Sequence, residues 1–205
     1  MEIRIVMILY EYNDKKFYMP DNLKVVQLPI ISVNKSVTNI LGVVLDSPVI
    51  IPAKSQTSFF VEIPLDIGVF ATDGKNYRLL FTVERFPKKY SLYGSIKSGF
   101  VYRYWTSRVY DRITSTENDR ALTKVEIVND SESIGDIKTI IFNTSFYSLF
   151  SKDGAVYGEL IKMERIKKGL ALVKHTNKPS VEGAKLYDHT PLTAFTRQLE
   201  LSEGT

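Results

Sequence analysis

The feature that most limits how this chain can fold is the alternation of short strand-like runs with turn residues. Residues 58–63 and 77–83 are two such runs, rich in β-branched and aromatic side chains. Between them lies Asp73-Gly74, and a second pair, Asp153-Gly154, separates two further runs. Each pair predicts a β-hairpin, because glycine adopts a positive φ at no steric cost. A third turn is predicted at Lys167-Lys168-Gly169.

Turns that recur about every ten residues are typical of antiparallel sheets packed face to face. The sequence therefore predicts an all-β fold with an antiparallel β-sandwich architecture and little helix. Proline cannot donate to a sheet ladder, so strand ends, edges or bends are predicted at Pro29, Pro48, Pro52, Pro64 and Pro87. The best helical segment is residues 193–201, and its helical pattern is weak.

A polar stretch at residues 114–120 precedes a new strand-like run and predicts a domain boundary. We expect two packed sandwich lobes, residues 1–115 and residues 116–205, the second ending in a tail that is extended or mobile. The alternative reading of the polar stretch is a long loop inside one sandwich.

Composition excludes several kinds of chemistry. The 205 residues include no cysteine, so disulfides, thiolate nucleophiles and cysteine-ligated metals are excluded. The start of the chain has an acid at Glu2 and only a short apolar run, unlike a signal peptide. No apolar run is long enough to span a bilayer. We expect a soluble, cytoplasmic protein without a cofactor or a metal site.

Catalytic side chains are few and isolated. His175 and His189 each lack a second histidine at metal-ligand spacing, and we interpret both as surface or loop residues. Glu62 and Asp66 are four residues apart, a spacing that puts both on one face of a regular strand. Such a pair could serve carbohydrate chemistry, but an acid pair at a strand end is usually solvated or caps a turn.

The most distinctive segment is basic and aromatic. Residues 85–112 carry a net charge of +6, whereas the whole chain carries only +4. If residues 100–107 form a strand, Phe100, Tyr102, Tyr104 and Thr106 share one side of it. Cations interleaved with aromatic rings can bind anionic polymers, because the cations meet phosphates and the rings stack on bases. The competing interpretation is that one aromatic row is core and the arginines are solvated or paired.

These observations favour a non-catalytic binding or interaction protein, with an anionic ligand, nucleic acid or an acidic protein surface as its partner. The alternatives are an enzyme that uses carboxylates on a carbohydrate or other polar substrate, and an assembly module with pairing sheet edges. No catalytic residue and no metal ligand is predicted. The predicted binding residues are Lys88, Lys89, Tyr93, Arg103, Tyr104, Trp105, Arg108 and Arg112.

Several segments together resemble an uncharacterised archaeal protein family, a domain of unknown function. The resemblance implies a β-rich archaeal protein and extends over about residues 49–174. It brings no activity, cofactor or catalytic residue. It rests on the runs at residues 60–67, 89–94, 99–104 and 125–129.

Overall fold

The computed structural model describes residues 7–12, 15–167, 170–187 and 199–202. These residues are nearly all β, which confirms the predicted fold class. Within them no helix has the length and apolarity that a membrane crossing requires. The strands are β1 (Met7–Tyr12), β2 (Lys15–Pro20), β3 (Lys24–Ile31), β4 (Ile40–Ile51), β5 (Ser55–Thr72), β6 (Tyr77–Val83), β7 (Lys89–Tyr93), β8 (Phe100–Ser107), β9 (Arg120–Asn129), β10 (Gly135–Asn143), β11 (Leu149–Lys152), β12 (Ala155–Lys167), β13 (Leu170–Pro179), β14 (Lys185–Leu186) and β15 (Leu199–Ser202). A single 3₁₀ turn, Thr144–Phe146, follows β10.

The strands form three sheets. β1 and β2 make a two-stranded ribbon, β10-β4-β8-β7 make a four-stranded sheet, and the other strands make a nine-stranded sheet around β5 and β12. β5 joins two regions of the large sheet, because residues 55–64 pair with β9 and residues 65–72 pair with β3. Pro64 stands where β5 changes partner, as expected for a residue without an N–H group.

Two strand pairs are parallel, β4 with β8 and β9 with β12. The sequence predicts antiparallel sheets, so the mixed pairing departs from that expectation. Hairpin signals report only antiparallel neighbours, whereas a parallel pair requires a long crossover connection that leaves no local signal.

The core lies between the four-stranded sheet and the large sheet. Leu41 and Val43 of β4 and Phe142 of β10 belong to one buried cluster with Val61 and Ile63 of β5. Each of these side chains is almost completely inaccessible to solvent. This apolar burial between two layers is the main stabilising contribution that the fold offers.

The structure confirms the two Asp-Gly hairpins. Asp73-Gly74 connects β5 to β6, and the Asp73 carboxylate accepts bonds from the backbone N–H groups of Lys75 and Asn76. With the Asn76 side chain, these bonds lower the pKa of Asp73 to about 2. Asp153-Gly154 connects β11 to β12 with φ of 51° and 80°. The turn predicted at Lys167-Lys168-Gly169 includes two residues outside the described ranges, but β12 and β13 pair antiparallel on either side of it.

Strands from both sides of residue 115 share the two larger sheets. β9 pairs with β5, and β10 pairs with β4. The division into two lobes stays a prediction. Two lobes divided at residue 115 would share hydrogen-bonded strand pairs in both larger sheets. Of the predicted helical segment, residues 193–198 lie outside the described ranges and Leu199–Ser202 form β15, so the helix is wrong at its C-terminal end.

We predict that Gly154→Ala lowers the free energy of unfolding by about 1 kcal/mol, because an L-residue resists positive φ. A Cβ at this position would meet no atom within 4 Å, so only backbone strain should contribute. Urea denaturation would measure the loss. Gly154→Asn is the control, since asparagine tolerates this conformation and should lose less. Equal losses for alanine and asparagine would contradict the explanation.

Candidate binding face

The register between β4 and β8 decides which side chains of the basic-aromatic segment face solvent. Arg103 lies beside Leu41, and Tyr104 lies beside Gly42. Paired residues of neighbouring strands share a face, so Arg103, Trp105 and Ser107 point to the core side. The other row of β8 points outward. The sequence predicted the two rows, and the structure turns the arginine row inward.

The outward row forms a ring-covered surface, which we call the aromatic platform: Tyr93, Phe100, Tyr102 and Tyr104. Tyr93 stacks on Phe100 with ring centroids 5.2 Å apart. The Tyr102 ring covers Gly42 so closely that a Cβ on Gly42 would lie 2.3 Å from the Tyr102 Cδ2 atom. Tyr104 is half-buried, and its hydroxyl accepts a hydrogen bond from Thr106. Tyr93, Phe100 and Tyr104 are half-buried, whereas Tyr102 is only 9% exposed, so three of the four rings have partly exposed faces on this side of the four-stranded sheet.

Two exposed lysines flank the platform. Lys89 lies directly across from Tyr104 in the β7–β8 pairing, and Lys97 lies in the loop that joins Tyr93 to Phe100. Neither lysine has an ion-pair partner among the described residues. An unpaired surface cation is free to meet a ligand anion at little desolvation cost.

Arg108 and Arg112 follow the end of β8, and both are exposed. The Arg112 guanidinium lies 3.9 Å from the carboxylate of the adjacent Asp111, and both side chains are almost fully solvated. Such a pair contributes little to stability. Arg108 and Arg112 thus agree with the prediction of accessible cations, although no described contact links them to the platform.

Arg103 is buried, so it cannot belong to an exposed face. Its guanidinium has no hydrogen-bond partner among the described residues, and it lies 5.9 Å from the centre of the Trp105 ring. Burial lowers the pKa of Arg103, and the charge of Asp66 acts in the opposite direction. Trp105 is half-buried, packs edge-on against Phe86, and donates from Nε1 to the Glu62 carbonyl oxygen at 3.0 Å.

Lys88 is also turned inward, with only 7% of its side chain exposed. Its ammonium lies 3.1 Å from the buried Asp66 carboxylate and 2.6 Å from Glu84. Asp66 also accepts a bond from the backbone N–H of Arg85. The carboxylate that the sequence offered for catalysis therefore neutralises a buried cation.

Glu62, the second carboxylate of that pair, is neutralised as well. Its Oε2 atom accepts a hydrogen bond from Arg120 at 3.2 Å. The Arg120 guanidinium lies 5.9 Å from the ring centres of both Phe86 and Trp105. Glu62 and Asp66 are thus each paired with a cation, Arg120 and Lys88, and are not a solvated or turn-capping pair.

A second buried polar cluster surrounds His175, and the interpretation of His175 as a surface residue is wrong. Nδ1 of its imidazole hydrogen-bonds to Oε1 of Glu159, and both side chains are almost completely buried. Glu159 also accepts a bond from the backbone N–H of Asn177, which stands in a bulge of β13 with φ of 53°. Sixteen residues separate Glu159 from His175, so no local signal joined them. His189 lies outside the described residues.

The imidazole of His175 is enclosed by aromatic rings, with the Phe142 centroid 6.0 Å away and the Tyr147 centroid 6.3 Å away. Burial raises the pKa of Glu159, although the bonds from His175 and Asn177 oppose that shift. The pair is therefore a carboxylate–imidazole hydrogen bond with little access to solvent. In the part of the chain that the structure describes, no three potential metal ligands converge.

We predict that Asp66→Ala lowers the free energy of unfolding by about 3–5 kcal/mol, because it removes the buried carboxylate that lies 3.1 Å from the Lys88 ammonium and whose charge favours the ionised form of Arg103. Lys88→Met should cost a similar amount, because it leaves the buried Asp66 carboxylate without a cation at ion-pair distance. The control is Lys89→Met, an exposed neighbour for which the change should stay within about 0.5 kcal/mol. Chemical denaturation gives all three values, and a loss below about 1 kcal/mol for Asp66→Ala or Lys88→Met would contradict the stabilising role of the pair.

We predict a distinct pH dependence for Glu159→Gln. Because the folded-state pKa of Glu159 is raised, its favourable contribution is fully present below the ordinary value of 4.5 and is lost as the pH rises through the raised value. The unfolding free energy of the native protein relative to Glu159→Gln should therefore fall as the pH increases from about 4.5. Glu164→Gln, on the same strand, is the control. A difference that stays constant with pH would contradict the assignment.

Comparison with known proteins identifies a family for this chain but no activity. No curated protein and no solved structure matches it. One family model, described as a protein of unknown function (DUF432), matches residues 4–200. The match covers nearly the whole sequence. The chain is therefore a member of the DUF432 family.

Proposed function

We propose that this protein binds single-stranded nucleic acid without catalysis, on the outer face of its four-stranded sheet. The observation that carries the proposal is the aromatic platform flanked by two unpaired lysines. Partly exposed rings offer stacking surfaces to successive bases, and lysines beside them meet the phosphates between those bases. A single strand fits better than a duplex, because its bases are already unstacked.

The predicted binding residues take two roles in this proposal. Lys89, Tyr93 and Tyr104 contact the ligand on the platform, and Arg108 and Arg112 extend the positive charge beyond the strand end. The three inward residues are positioning residues, which hold β8 and the start of β7 from behind: Lys88, Arg103 and Trp105.

The enzyme alternative has less support. Glu62 and Asp66 each have a cationic partner, and a carboxylate in a buried ion pair is a poor proton donor or nucleophile. An archaeal source, a cytoplasmic location, the absence of a cofactor and the two-lobe division remain predictions.

We predict that a labelled oligothymidine of about twelve nucleotides binds at about 50 mM salt and binds more weakly at about 200 mM. Lys89→Ala should reduce the log–log salt slope by about 0.7, the value of one lost phosphate contact. Tyr104→Ala should weaken binding about 5- to 150-fold through lost stacking, with little change in the slope. Fluorescence anisotropy gives both quantities.

The chain offers matched controls for each variant. Lys75→Ala removes an exposed lysine from the β5–β6 turn, and Tyr18→Ala removes a tyrosine that is 67% exposed on β2. Neither should change binding. The proposal fails if no binding occurs at low salt, or if Lys89→Ala and Lys75→Ala behave alike. If an acidic polysaccharide binds as tightly as oligothymidine, and Tyr104→Ala does not change its affinity, the site is only a cationic surface without base stacking.

A further inference from the structure

A second concave site lies away from the platform, between the large sheet and the segment that follows β10. It encloses a cavity of about 380 Å³, within the size range of small-molecule sites. The volume suits one small molecule better than a protein segment. Most of its wall is apolar and comes from four strands of the large sheet, β3, β5, β6 and β11, and from the residue Val33 that follows β3. The apolar wall residues are Ile30, Ile31, Val33, Phe70, Leu79 and Leu149.

The floor of the cavity adds to its apolar character. The Tyr147 side chain lines it and is almost fully buried. Its hydroxyl hydrogen-bonds to the Thr123 side chain, so that oxygen already has a partner within the protein. A ligand there meets mainly the ring of Tyr147 and gains little from polar contact.

The rim is polar and carries more positive than negative charge. Its charged residues are Lys35, Lys88 and Glu84. Lys88 is held by Asp66 and Glu84. Lys35 is exposed and has no ion-pair or hydrogen-bond partner among the described residues. The rim therefore offers one uncommitted cation beside an apolar interior.

We propose that this cavity binds a single-chain amphiphile with one carboxylate head, of the medium-chain fatty acid class. The hydrocarbon chain lies against the apolar walls, where each methylene removed from water contributes favourably. The carboxylate lies at Lys35, and the hydroxyls of Thr144 and Ser145 on the rim are further hydrogen-bond donors. The site is separate from the platform and does not depend on nucleic-acid binding.

The test is isothermal titration calorimetry of the full chain with octanoate, decanoate, dodecanoate and decanol. Affinity should rise about fourfold per added methylene until the cavity is filled, which corresponds to about 0.8 kcal/mol per buried CH₂. Lys35→Ala should weaken decanoate binding and leave decanol binding unchanged. Lys75→Ala, which removes an equally exposed lysine outside the cavity, should change neither.

A second variant tests the interior. Leu79 is 47% exposed at the cavity wall, so Leu79→Trp should fold and should weaken both decanoate and decanol by filling the space. Circular dichroism confirms that each variant is folded. Absence of binding for all four compounds, or binding that Leu79→Trp leaves unchanged, overturns the cavity. Equal loss of decanoate affinity in Lys35→Ala and Lys75→Ala overturns the role of Lys35.

Discussion

The buried negative charge of Asp66 is the constraint on which the arrangement of the two larger sheets depends. Asp66 lies in β5 of the large sheet, whereas Arg103 lies in β8 of the four-stranded sheet and Lys88 directly precedes β7. A carboxylate without solvent needs cations near it, and a buried guanidinium needs an anion. Lys88 supplies a counter-charge to Asp66 at 3.1 Å, and the Asp66 charge favours the ionised form of Arg103, so each layer offsets part of the desolvation cost of the other. Apolar packing holds the layers together, and this charge cluster restricts how they can be aligned.

The orientation of the proposed binding surface follows from that cluster. Successive residues of an extended chain point to opposite sides. With the Lys88 side chain turned inward to Asp66, Lys89 is turned outward and lies across from Tyr104. Lys88, which does not contact the proposed ligand, thereby determines that Lys89 faces it. Similarly, the hydrogen bond from Trp105 to the Glu62 carbonyl holds the Trp105 row of β8 on the core side, so that Tyr104 lies on the opposite face.

Local features of this fold could be predicted from the sequence, and pairings between distant residues could not. Asp-Gly hairpins are specified by two adjacent residues, and the two rows of β8 follow from strand periodicity. Periodicity does not say which row is core. A row of Phe and Tyr suggests the interior more strongly than a row with Arg103, yet in the fold each row has a buried member, Tyr102 and Arg103. Lys88 and Lys89 are chemically identical neighbours in sequence, so residue type alone does not say which of them is buried. The parallel β4–β8 pair and the Glu159–His175 bond join residues that are too far apart in sequence for a local pattern to connect them.

The contact between Tyr102 and Gly42 has a consequence for how this sequence can vary. The two positions compete for one volume, because the ring occupies the space that any side chain at position 42 would need. A mutation at position 42 would have to be accompanied by a smaller residue at position 102, or the ring would have to leave the sheet. Positions 60 residues apart are thus sterically coupled, and a larger residue at position 42 alone would displace the Tyr102 ring from its place on the sheet.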